Sequence, residues 1–253
     1  MVKSSKSEKS DRRQVIDDIR RKQKRADQRQ GMAIVGVCVV VALIIVGAAL
    51  YPKVRETVND QKWKGKSVAE IGAKASVCGD ITEKEATGNQ EHVPEGQQVT
   101  YTESPVAYGA HWNVGGVAPA PIGDRFYTED SRPELEQLVH NLEHGYTILW
   151  YDTTAGDDSA EVSAMRAIAK VMDANDTNQR LKFKVAPWTK ADEKEVGKSF
   201  PKGQHIAFTH WRVDRDTQKQ YGSWQYCSEV SGAALEKFMA KYPFTDAPEP
   251  YAY

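Results

Sequence analysis

Two histidines four residues apart, His140 and His144, with Gly145 closing the run, are the residues of this chain best placed to do chemistry. On a helix an i, i+4 pair stands one turn apart, roughly 5–6 Å between Cβ atoms, so both imidazoles can hold one metal ion. Zinc or copper takes three or four N, S or O donors, and four of the six histidines lie between 92 and 144. His92, His111, His140 and His144 therefore form a candidate ligand set. The bland alternative is four exposed or hydrogen-bonded histidines. Glu143 completes a His-x-x-Glu-His run, the inverted zincin pattern, in which the carboxylate is general base to a zinc-bound water. A five-residue signature is weak. Glu143 is turned to the flank of the helix, Gly145 ends the helix at once, and the scaffold of those proteases is much larger than this domain. Glu143 is thus a weak catalytic candidate, and the sequence leaves enzymatic activity open while leaning against it.

The elements that must position these residues can be read from periodicity. Asp130 or Ser131 can cap a helix, Pro133 suits its first turn and Gly145 its end, which predicts a helix over 132–144. Leu135, Leu138, Val139 and Leu142 make an apolar stripe on it. At about 100° per residue, His140 and His144 point roughly away from that stripe, so the layer beneath the leucines does not bury them. His92 and His111 come from a segment rich in Gly, Pro, Thr and Asn, Cys78 to Tyr127, with one strand candidate at Gln98–Thr102. A loop this long inside a domain tends to be functional, and it is expected to carry His111 and His92 onto the helical pair.

Strand-like runs follow at 146–151, 181–185, 205–213 and 223–227. Amphipathic helices carry Val162, Met165, Ile168, Ala169 and Met172, then Leu235, Phe238, Met239 and Tyr242. The methionines sit on core stripes and make no methionine-rich Cu(I) site. Strand–helix–strand followed by a strand pair and a helix predicts an α+β fold bordering on α/β, a mixed sheet flanked by helices.

Met32–Tyr51 carries no charge and is about long enough to cross a ~30 Å hydrocarbon layer as a helix. The polar stretch before it is too long for the n-region of a cleaved signal peptide, so an uncleaved signal anchor is expected. Eleven basic residues from Lys3 to Arg29 precede the span, and only Lys53, Arg55, Lys62, Lys64 and Lys66 follow closely. The larger excess stays cytoplasmic, leaving one pass through the cell membrane and an extracytoplasmic C-terminal part. The basic tail then touches anionic lipid of the bilayer. The layout is a tail at 1–31, the span at 32–51, a stalk at 52–77, an exported globular domain at 78–245 and an irregular tail at 246–253. Near-neutral net charge and scattered basic residues speak against nucleic acid.

Cys38 lies in the span as a small apolar filler. Cys78 and Cys227 fall in the exported part, where oxidation favours a disulfide over two free thiols. Without a C-x-x-C, thiol-redox catalysis has no support.

The chain resembles the family filed as domain of unknown function 3105. The resemblance runs through Cys78, His92-Val93, Val99-Thr100-Tyr101, Ser104-Pro105, Gly109-Ala110-His111-Trp112, His140 to Gly145 and Trp150-Tyr151, and on to Thr209 and Cys227. The family's loop usually reads Pro-Pro-Thr-Ser-Gly-Pro-His, here Ser-Pro-Val-Ala-Tyr-Gly-Ala-His, which implies a reshaped turn. The resemblance implies a real site at the four histidines and no particular activity.

Three functions compete. One is a membrane-anchored exported protein that binds copper, or zinc, in envelope metal handling or in the maturation of envelope metalloproteins. Another is a non-catalytic scaffold or accessory protein of a membrane complex, with Trp112 and Tyr108 on its interaction face. The last is a zinc-dependent hydrolase.

Overall fold

The computed structural model describes residues 4–87, 90–173 and 178–252; Lys3, first of the expected basic residues, and Tyr253, end of the expected tail, lie outside them. The chain divides into a helical unit, Met1–Arg55, and a folded unit, Glu56–Tyr253. Helix α1 (Ser4–Trp63) makes the first and opens the second. Its stretch Val15–Tyr51 is long and apolar enough to cross a membrane, and none of its most apolar window is buried by protein. Ile34, Val37, Leu43 and Ile44 are each more than half exposed, and in water so much bare apolar surface would be costly.

The elements of the folded unit are β1 (Thr82–Ala86), β2 (His92–Val93), β3 (His111–Trp112), α2 (Leu135–Glu143), β4 (Thr147–Tyr151), α3 (Thr153–Asp157), α4 (Ser159–Val171), β5 (Phe183–Pro187), α5 (Lys190–Val196), β6 (Ile206–Val213), β7 (Gln220–Cys227) and α6 (Gly232–Lys241). Five strands form one sheet in the order β1-β7-β6-β4-β5. Only β4 and β5 run parallel; the other neighbours are antiparallel. The sheet is mixed and the fold is α+β.

Strand alternation splits the interior into two cores. Leu149, Tyr151, Phe183, Val185, Ile206 and Phe208 face α4 and α6, meeting Met165, Ile168, Leu235 and Phe238. Ile148, Trp150, Ala186, Ala207 and Trp211 face the other way and receive the leucine stripe of α2. Every residue of β4 is buried, as a strand covered on both faces must be. The first core also takes Val68 and Ile71 from before residue 78, and Ala247 is buried beyond residue 245. Parts of the stretches expected as stalk and tail thus pack with the domain. Cys78 and Cys227 form a disulfide spanning 149 positions of sequence. Cys38 is an exposed thiol on α1.

Several sequence expectations change. Residues 98–102 form no strand: the Val99 amide donates to Glu136 Oε1 (2.7 Å) and the Tyr101 hydroxyl to the Ala110 carbonyl (2.9 Å), so these groups bond the loop and helix rather than a neighbouring strand. A strand forms instead at β1, a charged Thr-Glu-Lys-Glu-Ala edge with four of five residues exposed. Its composition hides it because an edge strand carrying charges protects the sheet from further pairing. Helix α2 starts at Leu135 rather than at 132. Ser131 is drawn into the preceding turn, where its hydroxyl accepts from the Thr128 amide (2.9 Å), while Gln137 Oε1 accepts from the Glu134 amide (3.0 Å). Gly145 stops the helix with φ +87°, and a Cβ there would lie 2.5 Å from the Phe244 carbonyl oxygen, so both conformation and crowding select glycine.

Candidate metal centre

The polar face of α2 points away from the leucine stripe, and loop rather than solvent covers it. Glu136, His140, Asn141, Glu143 and His144 are all buried. Burial on that scale requires a partner for each polar group, and the 90–125 segment supplies most of them. The Asn141 amide pairs twice with Ala120, donating to its carbonyl (3.0 Å) and accepting from its amide (3.1 Å). Gln137 Nε2 donates to the Val117 carbonyl. Trp112 Nε1 donates to Gln97 (2.7 Å), fastening the loop to itself. Strands β2 and β3 pair in parallel with His92 opposite His111, so the two loop histidines reach α2 side by side. The His111 ring also meets Trp211 of β6 edge-on, centroids 5.9 Å apart.

The result is a cluster. His92, His111, His140 and Glu143 each offer a ligand atom, all within 4.8 Å of one another. Three of the four histidines expected to converge, His92, His111 and His140, are members of it. The fourth member is Glu143, expected only as a weak general base. Its side chain is fully buried, with Oε2 2.8 Å from His111 Nε2 and 3.6 Å from His92 Nε2, and Gln90 Nε2 donates to Oε1 (3.1 Å). His144 stands one step aside: its Nε2 lies 3.0 Å from His140 Nε2, and it groups with Glu143 and Glu249 instead. His205 and His210 lie apart, paired with Asp152 (2.9 Å) and Asp246 (2.7 Å).

Backbone carbonyls set the tautomers. His140 Nδ1 lies 2.6 Å from the Trp112 carbonyl and His111 Nδ1 2.9 Å from that of Gly109. A carbonyl can only accept, so each Nδ1 carries a proton; this assignment rests on the bonding pattern. In a neutral ring held this way the Nε2 lone pair is turned into the cluster, the arrangement that orients histidine for metal binding. The contact between His111 Nε2 and the Glu143 carboxylate consequently needs positive charge between two acceptors, a proton or a metal ion. Burial, with the neighbouring His111, lowers His140 to about 4, and burial with His140 lowers His144 to about 3. Both rings are neutral at neutral pH. Burial pushes Glu143 up, but the His111 bond and charge together with Gln90 outweigh it and hold the carboxyl at about 2. Three imidazoles and an ionised carboxylate suit zinc(II) or copper(II) and include no thiolate or thioether.

The sequence reading missed Glu249 and Gln90. Glu249 sits between two prolines in what reads as an irregular tail, and no local periodicity links it to a helix a hundred residues earlier. Its amide donates to the Glu143 carbonyl (2.9 Å) and its Oε2 comes within 3.6 Å of His144 Nε2.

A family model described as a protein of unknown function (DUF3105) matches residues 92–253, more than half of the chain. The chain belongs to that family. The DUF3105 match opens at His92 and takes in the whole cluster and Glu249, whereas Cys78, one of the residues carrying the resemblance, lies ahead of the matched span. No curated protein and no solved structure matches this member of DUF3105.

Proposed function

We propose that this protein is a membrane-anchored, exported binder of a transition-metal ion, held by His92, His111, His140 and Glu143. The observation that carries the reading is the convergence of three imidazoles and one carboxylate from two loop strands and one helix, with two of the rings locked by carbonyls so that Nε2 faces inward. Copper(II) is the favoured ion, because nitrogen-rich sites bind it most tightly among the divalent first-row metals; zinc(II) is the alternative. The role is metal handling in the cell envelope. It fits an N-terminal span preceded by the larger basic excess, with the C-terminal unit in an oxidising compartment that tolerates the Cys78–Cys227 bridge.

Two other readings fit less well. Hydrolysis of the zincin kind needs Glu143 poised beside a metal-bound water, whereas its carboxylate sits directly on His111 and is tied by Gln90. A purely structural scaffold accounts for the hydrogen bonds of Glu136 and Asn141 and, with His111 protonated, for the His111–Glu143 pair, but it gives no reason for His92 and His140 to gather beside that pair.

Elemental analysis of the full chain, purified in detergent without a histidine tag and loaded with copper(II) or zinc(II), tests the proposal. At least one tightly held equivalent is expected, lost in His111→Ala and in Glu143→Gln. Absence of retained metal in the parent protein overturns it. Protease added to intact spheroplasts should remove the C-terminal unit and spare the basic N-terminus; a cytoplasmic C-terminus overturns the topology.

A further inference from the structure

His144 and Glu249 remain beside the four-residue cluster without a role in it. With Glu143 they make a second set of ligand atoms, again all within 4.8 Å of one another, and the two sets share only Glu143. His144 is buried, and its Nδ1 has no hydrogen-bond partner among the described residues. Its Nε2 faces the His140 lone pair at 3.0 Å. With the proton on Nε2, His144 donates to His140 and keeps a bare, buried Nδ1. With the proton on Nδ1, two lone pairs oppose each other and the Nδ1–H has no acceptor. A cation on Nε2, the nitrogen 3.6 Å from Glu249 Oε2, removes the opposition of lone pairs that the Nδ1-protonated ring otherwise meets.

Glu249 is not a loosely placed surface acid. Its own amide is bonded to the Glu143 carbonyl (2.9 Å). The ammonium of Lys182 reaches the carbonyls of Pro250 and Ala252 (3.0 Å each) and that of His144 (2.8 Å). One buried lysine thereby ties the C-terminal strap to the end of α2, on the side where His144 leaves the helix. A cleft of about 540 Å³ opens there, lined among others by Asn113, His140, His144, Tyr146 and Glu249. It has room for a hydrated ion.

We infer that a second divalent cation binds between His144 and Glu249, with Glu143 as the carboxylate shared with the first ion. The inference rests on the proposed first site. Sharing one carboxylate suits the ~3.5–4 Å separation of two-metal centres. One imidazole and two carboxylates favour zinc(II) or manganese(II) over Cu(I). The first ion has four protein donors, while the second has three and faces the cleft. Its remaining coordination positions therefore go to water or to an oxygen-donor ligand entering from solvent.

Metal counting separates the two sites. The full chain in detergent, without a histidine tag, is loaded with zinc(II), passed through gel filtration and analysed for zinc per chain. Two equivalents are expected in the parent protein and one in Glu249→Ala. The Glu249 side chain is 46 % exposed, so its removal leaves the packing intact, and Glu249→Gln serves as a second variant that keeps its shape. Both variants should melt like the parent after chelation. One equivalent in parent and variants alike overturns the second site and leaves the first standing. Two in parent and variants alike overturn the role of Glu249, and none in the parent overturns both sites.

Discussion

The two faces of α2 are buried to a similar degree by opposite means. Leu135, Leu138, Val139 and Leu142 lie against Ile148, Trp150 and Trp211 of the sheet, where any apolar side chain of the right volume serves. On the other face Glu136, His140, Asn141 and Glu143 lie under a loop, each held by named donors and acceptors, and His144 lies beside the strap with Glu249 3.6 Å away. The first face is tolerant because dispersion and hydrophobic transfer are non-directional. The second is specific, because a buried polar group that loses its partner forfeits its hydration as well. A helix buried in this second way can gather ligands from distant parts of the chain. The buried lysines belong to the same side: Lys184 donates to the Pro121 and Asp124 carbonyls (2.7 Å each), as Lys182 does to the strap.

The contrast can be tested from its largest expected effect downward. Leu138 is fully buried, and Leu138→Ala should cost about 2–5 kcal/mol with or without metal, read by denaturant melts. If that cost depends on metal, the two faces are coupled and the contrast fails. The disulfide ties β7 to the chain ahead of β1, on the apolar-core side; Cys227→Ser should cost about 2–5 kcal/mol and leave metal content unchanged. On the polar face, chelation should lower the melting temperature of the parent. A ligand at a hundred times its dissociation constant contributes about 2.7 kcal/mol. His111→Ala should respond less to chelator than the parent, and a parent indifferent to it would mean that hydrogen bonds alone hold this face.

A further effect is one of pH. Burial pulls the Lys184 ammonium from its ordinary 10.5 to about 7, with Asp124 opposing. Between those values the unfolded chain holds a proton that the folded chain has released. Stability should therefore rise with pH from about 7 towards 10.5. Lys184→Met should flatten that rise in a series of melts, and an unchanged slope would place its origin elsewhere.

Much of the apolar side was legible beforehand. The leucine stripe, strands β4 to β7 and the helices around Met165 and Leu235 all follow from local apolar patterns, which record which way a residue faces. The i, i+4 spacing likewise brought His140 and His144 together without further help. Partners are another matter. The donor set could not be completed from sequence, because Glu143 and His144 both flank the polar face and only the course of the 90–125 loop decides which of them meets His92 and His111. Strand β1 escaped because an exposed edge bears the composition of a loop.

By itself, then, the sequence determined a charge-free stretch able to cross a membrane, a helix with one apolar and one histidine-bearing face, and two cysteines in the same folded part. Each is a local property of composition or period. Tertiary structure alone decided that the histidine face is buried, that Glu143 joins the cluster, and that Glu249 is carried to it on a strap held by Lys182. Those outcomes depend on contacts between segments far apart in sequence, where direction and distance, rather than local pattern, select the partner.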